Sequence, residues 1–410
     1  MAWVRGKADA EGRIAEALRR VVDDLGEIGV QVAAYHGSEL IADAGAGLAD
    51  EGTGRSVGPD TVFNIFSITK AMIATALHML AERGHIEYQA PVARYWPEFA
   101  ANGKADALVI HALSHRIGLP EMPPGVTIER MCDWDDMVAS IAAMAPSLPI
   151  GRKTPYHGYT FGWIVGELVR RADPQGRRVD RFVADEICAP LGIDGLWLGI
   201  PPHVNSRVAI MRDDMARTSA EMDPATLTPA KQVSLKAIPP SLRTTPENFG
   251  REDVRAACLP GMGAIADAKS VARFFAMLAN GGEIDGVRLL SDERVRWCAT
   301  PNDPISDDEF ALDDRVISHS GFHLPVPVGG PSYYHALGRG STVLAHAGSG
   351  GQLGFADLDD RLAVAILHNR MTSPIADRTR DPLVVLTDAI RSVAKIVPPS
   401  SGDRAAVVQA

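Results

Sequence analysis

Val62-Phe-Asn-Ile-Phe-Ser-Ile-Thr-Lys70 is a short apolar run that leads directly into residues 71–84, and its reading decides the fold. Met72, Ile73, Ala76, Leu77 and Leu80 recur at helical spacing and Gly84 supplies a stop, so an amphipathic helix is expected. Ser67 falls in the first turn, and Lys70, three residues on, shares its face. A free hydroxyl is a poor nucleophile and needs a base within hydrogen-bond reach. A lysine serves only when neutral, and burial beside a helix N-terminus disfavours the ammonium form. The same dipole favours negative charge developing near Ser67. Ser-x-x-Lys alone is weak evidence. Ser392-Val-Ala-Lys395 matches as well, inside a plain apolar-periodic stretch (residues 383–397) where an ordinary polar helix face accounts for it. Ser67 differs in its place at a run-to-helix junction, where a backbone N–H can be left pointing at a ligand.

The 410 residues suffice for a sizeable core and two subdomains. A 46% apolar and 22% charged composition is that of a globular protein, not a disordered one. The formal charge of −10 argues against nucleic acid or an anionic membrane as the main partner. Cys132, Cys188, Cys258 and Cys298 show no close pair and no metal-ligand spacing, so four buried, inert thiols are expected, with a disulfide left open. The N-terminal residues lack the apolar core of a signal peptide and no run spans a membrane, which makes the cytoplasm the expected location. Oligomeric state is not legible.

Outward from the Ser67 stretch, residues 8–25 carry a helical apolar period. Residues 29–35 and 39–45 read as two strands joined at His36-Gly37-Ser38. Past residue 84 helical periodicity dominates, with candidates at 133–144, 161–171 and 181–187. Residues 199–250 show little periodicity and suggest a long surface excursion that could wall a pocket. Strand signals return at 343–347, 354–358 and 361–368, preceded by a helix at 269–280 and followed by one at 383–397. Sheet-forming segments at both chain ends and helices between them predict an α+β fold. Its antiparallel sheet, flanked by helices, is built from both ends (residues 1–70 and 255–397), with a mostly helical subdomain inserted (71–254) and a disordered tail (398–410).

Two further stretches carry chemistry. Pro149-Ile-Gly-Arg-Lys-Thr-Pro-Tyr-His-Gly158 precedes a helix, and Tyr156, held between Pro155 and a turn, is placed to project. Its phenol can relay a proton if a neighbouring cation lowers its pKa, although packing tyrosines are common. His346-Ala-Gly-Ser-Gly-Gly351 ends a strand at a turn of small residues. There a free N–H could form half of an oxyanion hole, and a plain glycine-rich turn is the alternative.

In this order and spacing the three stretches resemble the serine β-lactamase-like superfamily: class C β-lactamases, penicillin-binding-protein-fold D-amino-acid peptidases, and serine esterases of the β-lactamase type. Leu113-Ser-His-Arg-Ile-Gly-Leu-Pro120, Ala189-Pro-Leu-Gly192 and residues 280–290 resemble the family too, and the likeness covers about residues 10–395. The resemblance implies Ser67 as acylated nucleophile, Lys70 as its activating partner and Tyr156 as proton shuttle. It implies the N–H groups of Ser67 and Ser349 as the oxyanion hole, with His346, Gly348, Gly158 and His157 on the substrate side. No metal or organic cofactor is implied. Gly158 stands where β-lactamases and peptidases of the family have Asn, and His346 where they commonly have Lys. An Asn amide would bind a peptide or β-lactam amide and a Lys its carboxylate, so losing both favours simple esters.

The expected activity is therefore a serine hydrolase (carboxylesterase type) acting on small-molecule esters. The alternatives are an acyltransferase using the same acyl-enzyme with an alcohol or amine acceptor, a β-lactamase or D-amino-acid peptidase, and a non-catalytic binding protein on the same scaffold. A rival nucleophile is Ser349, in Ala347-Gly-Ser-Gly-Gly351, with Asp357 and His368 downstream in α/β-hydrolase order. Its lateness in the chain and the Ala at the first position count against it. His111 and His115, spaced i, i+4, lack a third ligand and read as structural. Asp359-Asp360 and Asp307-Asp-Glu309 read as turn and loop charges.

Overall fold

Strand pairing joins the two ends of the chain. The computed structural model describes residues 2–6, 8–215, 227–302, 316–325, 336–337, 342–373, 375 and 377–396, so the 307–309 acidic run and the expected tail lie outside the described residues. The main sheet contains β1 (Trp3–Gly6), β2 (Gly29–His36), β3 (Glu39–Asp50), β4 (Arg55–Ser56), β5 (Val316–Ile317), β6 (His323–Leu324), β7 (Val343–Ala347), β8 (Leu353–Asp357) and β9 (Leu362–His368). Its order is β1-β3-β2-β9-β8-β7-β6-β5, with β4 on β3, and every pairing is antiparallel. The central seam is β2 against β9, with Leu362 opposite His36 and His368 opposite Val30. An α+β sheet built from both chain ends is what the structure has.

The period-2 pattern explains how the two faces are covered. Val30, Val32 and Ala34 of β2 and Leu362, Val364 and Ile366 of β9 face one apolar core, beneath α1 (Ala8–Arg19) and the C-terminal helix Pro382–Ala394. The alternating residues Ala33, Tyr35, Ala363, Ala365 and Leu367 face the other. That small-residue face lets the helix Ala268–Ala279 lie close, and a Cβ at Gly354 of β8 would fall 2.3 Å from Phe275 Cε2. The same core continues into α2 (Thr69–Glu82), whose residues Thr69–Leu80 are all buried, and into the helix Thr160–Ala172 packed against it. A helix buried all round, rather than on one face, belongs to the core, and α2 is therefore a rigid mount for what sits at its N-terminus.

Some boundaries differ from the sequence reading. The 8–25 helix is α1 followed by a π-turn, Arg20–Asp24, and 181–187 is likewise a helix, Val179–Val183, running into a π-turn, Ala184–Cys188. The excursion at 199–250 is not featureless. Helices Pro229–Ala237 and Pro246–Phe249 start where Thr228 and Thr245 accept from Lys231 N–H and Asn248 N–H ahead of a first-turn proline. All four cysteines are free, but Cys132 is only half-buried. Burial pushes its thiol up to about 11, and those of Cys188 and Cys298 to about 12, which keeps them unreactive at neutral pH.

Candidate active site

Ser67 sits in a 3-10 turn, Phe66–Ile68, that feeds directly into α2. The turn is strained. Phe66 has φ +45°, a region sparsely allowed for a residue with a Cβ, and such strain persists only where surroundings over-determine it. Here they do. Phe66 is fully buried against the edge of Phe249, its carbonyl accepts from Thr69 Oγ1 at 2.5 Å, and Ile65 N–H donates to Ala264 O at 3.0 Å.

Lys70, with no exposed surface, points along the first turn of α2 to Ser67 Oγ, 3.0 Å from its Nζ. Its Nζ also lies within hydrogen-bond distance of two backbone carbonyls, Gly158 O at 2.7 Å and Gly261 O at 2.6 Å. An ammonium has three N–H groups and would donate to all three oxygens. A neutral amine has two N–H groups and one lone pair. The two carbonyls take the N–H groups and leave the lone pair facing the serine. Gly261 reaches this position because the helix Thr160–Ala172 passes it at Gly162, where a Cβ would lie 2.1 Å from Gly261 N.

Tyr156 lies beside Lys70, whose Nζ is 5.1 Å from the phenol ring centroid, within cation–π range. Its ring stacks on the buried His115 at 4.9 Å. His157 turns inward and does not line the cavity: it is 1% exposed, its Nε2 accepts from Leu119 N–H and its Nδ1 donates to Pro155 O. Burial holds that imidazole down to about 4, so it is neutral at ordinary pH. The substrate-side position expected for His157 is thus replaced by a structural one, fixing the 155–157 bend. Gly158 contributes its carbonyl to Lys70. A Cβ there would meet Ile238 Cδ1 and Cγ1 at 3.0 Å, so the space an Asn side chain would use is filled.

The third stretch ends β7. His346 is fully buried and is not among the residues lining the cavity. Its ring centroid lies 4.0 Å from that of His323 of β6, tilted by 30°, and His323 does line the cavity. Gly348 allows the β7–β8 turn to press on the Ser67 segment. Its Cβ would fall 2.5 Å from Ile65 O, and its N–H donates to Gln352 O at 2.7 Å. That contact sets Ser349 beside Ser67, and Ser349 Oγ is 2.6 Å from Thr244 Oγ1. Ser67, Tyr156, His323, Gly348 and Ser349 line one cavity of about 360 Å³, together with Ile238 and Met215 from the 199–250 segment. Among the described residues lining it there is no lysine or arginine.

The rival arrangement does not form. Ser349 pairs with Thr244, Asp357 accepts from the N–H groups of Asp359 and Asp360, and His368 Nδ1 faces Glu27. At the second Ser-x-x-Lys, Ser392 accepts from Arg13 and Lys395 is an exposed left-handed cap. His111 and His115 point to separate backbone partners, and no group of three His, Cys, Asp or Glu side chains placed to hold a metal occurs among the described residues. Four participants escaped the sequence reading: Gly261, Thr244, Ile238 and His323. Each lies on a short or irregular element, where no periodicity marks it.

A search against protein-family models matches the Beta-lactamase family over residues 14–389. The Mycobacterium tuberculosis protein "Esterase/beta-lactamase LipL" is 33% identical over 377 residues, covering 89% of this chain and 82% of that one. Among solved structures, a family VIII carboxylesterase superposes with TM-score 0.81 at 28% identity, covering 95% of this chain and 100% of the other. A penicillin-binding protein homologue from Caulobacter crescentus gives 0.80 at 29%, with the same coverage. The chain belongs to the β-lactamase family.

Proposed function

We propose that this member of the β-lactamase family is a serine hydrolase that cleaves small carboxylic esters through an acyl-Ser67 intermediate. The observation that carries the reading is Lys70: two carbonyls hold its N–H groups and Ser67 Oγ lies 3.0 Å from the same nitrogen. Ser67 Oγ attacks the ester carbonyl and passes its proton to Lys70 Nζ. The N–H groups of Ser67 and Ser349 receive the oxyanion, each worth about 3 kcal/mol in comparable sites. The tetrahedral adduct collapses, the C–O bond to the alcohol breaks, and the leaving oxygen takes a proton relayed from Lys70 through Tyr156. Water then attacks the acyl carbon and gives a proton to the same pair. The second adduct collapses, the acyl C–Oγ bond breaks, Ser67 Oγ takes that proton back, and the acid leaves.

Esters are favoured over β-lactams and peptides for two reasons. The wall beside Gly158 offers Ile238 where an amide would need a hydrogen-bond partner, and no lysine or arginine among the described lining residues is available for a carboxylate. The structural relative described as a family VIII carboxylesterase points the same way, while the relative LipL is described as both esterase and β-lactamase. Steady-state turnover of p-nitrophenyl acetate and of a chromogenic cephalosporin, by wild type and Ser67→Ala, tests the reading. Ester turnover lost in the variant is expected, with the cephalosporin at least ~10²-fold slower. Wild-type ester turnover in Ser67→Ala sinks it.

A further inference from the structure

Two buried ionisable side chains meet on the far side of the turn that carries Ser349. His368 ends β9 and Glu27 precedes β2, and each is 5% exposed. The imidazole Nδ1 is 3.1 Å from a Glu27 carboxylate oxygen, and both residues wall the cavity that also holds Ser67 and Ser349. A Cβ on Gly351 would lie 2.8 Å from Nε2, so the imidazole is pressed against that backbone. The strand end beneath it is fixed. His368 N–H donates to Gln352 Oε1 at 3.0 Å, Gln352 Nε2 donates to His368 O at 2.7 Å, and Gln352 O accepts Gly348 N–H. One ring therefore braces the last residue of the Gly348–Gly351 turn, while Gln352 ties its first residue to the same strand.

We infer that Glu27 and His368 are positioning residues for the Ser349 oxyanion donor, with the doubly protonated imidazole bracing the turn from behind. The inference rests on the acyl-serine reading of the site. Only an imidazolium has an N–H at both nitrogens, one for the Glu27 carboxylate and one on the side that faces the Gly351 backbone. A neutral ring has a donor on one side only, so either the Glu27 contact or the side against Gly351 loses its N–H and the turn loses part of its support. Burial pushes the imidazole down, but the Glu27 charge and the hydrogen bonds outweigh it, and the group ends above its ordinary value. A raised histidine keeps its bracing form below the ordinary histidine range and loses it as pH rises through the folded value. The other charges nearby are committed or remote. Arg370 is held by Asp214 and by Gly26 O, and Asp381, in the same wall, caps Leu383 N–H. Lys70 is engaged by Ser67 Oγ and the Gly158 and Gly261 carbonyls.

The pH profile of kcat for a p-nitrophenyl ester provides the test. Wild type is expected to show an alkaline descending limb. Glu27→Gln keeps an acceptor but removes the charge. It is expected to move that limb to lower pH by about one unit or more, the usual effect of an adjacent opposite charge. At pH 8 kcat should fall about tenfold with KM within about twofold, since a displaced oxyanion donor acts on the transition state. Glu27→Asp should restore most of the limb. A lower melting temperature with an unmoved limb means a merely structural pair and overturns the inference. If Glu27→Gln does not fold, nitrogen-15 histidine NMR on wild type decides. An imidazolium persisting above the ordinary range and titrating with the kcat limb is expected, and all rings neutral at pH 8 overturns it. A wild type without Ser67-dependent turnover at any pH would sink the acyl-serine reading and this inference with it. Turnover with an unmoved limb sinks the inference alone.

Discussion

Gly348→Ala puts the geometry of the site under direct strain. The added methyl would sit 2.5 Å from Ile65 O and 2.8 Å from Gln352 Cβ. Neither neighbour is free to swing away: the first is main chain two residues before Ser67, and the second belongs to the residue that ties the turn to β9. Ordinary contact requires the turn to back off by about 0.5–1 Å, at an overpacking cost of about 1–3 kcal/mol. The N–H of Ser349 moves with it. A displacement of that size costs about 10²-fold in rate, approaching the loss of one oxyanion donor. The expected result is kcat for a p-nitrophenyl ester down about 30–300-fold with KM little changed, and a modestly lower melting temperature. Gly84→Ala is the control. Gly84 lies past the far end of α2 at φ +75°, and a methyl added there would have nothing within 4 Å, so the change costs about 1 kcal/mol of backbone strain and should spare kcat. If Gly348→Ala melts lower yet turns over at the wild-type rate per folded molecule, the β7–β8 turn does not supply the oxyanion donor.

Three other outcomes follow from the same contacts. Lys70→Met, which keeps the length and loses the amine, should lower kcat by about 10³-fold or more, while the stranded Gly158 and Gly261 carbonyls cost about 1–3 kcal/mol each in a denaturant titration. Gly158→Asn alone should gain no cephalosporin turnover, because Ile238 fills the space, whereas Gly158→Asn with Ile238→Ala should raise it at least several-fold, read by absorbance. His157, held down to about 4 by burial, is bound in its neutral form. Its contribution to stability is therefore present above the ordinary histidine range and lost as pH falls toward 4, up to about 3 kcal/mol. Urea midpoints at pH 7 and pH 4.5 should differ less in His157→Gln than in wild type.

What the sequence discloses is what local pattern encodes. The strand at 343–347 has the bounds read from its alternation, and β2, β9, α2 and the helix Thr160–Ala172 each match their apolar period to within a few residues. The turn-borne residues Ser67, Tyr156 and Ser349 meet at one cavity because each sits at the end of such an element. Substrate-side assignments fared differently. His346 and His157 face inward, since a side chain's direction past a turn depends on its dihedral angles and not on its spacing. The contacts of Lys70 with Gly261, Ser349 with Thr244 and His368 with Glu27 span 191, 105 and 341 residues. Contacts of that range leave no trace in either flanking sequence. The positive φ of Phe66 is equally invisible, as a buried phenylalanine is read as core whatever its backbone angle. The helices at Pro229 and Pro246 were legible. Thr-Pro at each start is a capping signal that weak apolar periodicity obscured.

Intact-mass spectrometry after a brief incubation with a p-nitrophenyl ester, followed by peptide mapping, tests the central claim most directly. The account predicts an acyl adduct on the peptide that contains Ser67, absent in Ser67→Ala, with nitrophenol released in a burst of one equivalent per folded chain. An adduct on Ser349 or elsewhere, or wild-type turnover persisting in Ser67→Ala, would contradict it.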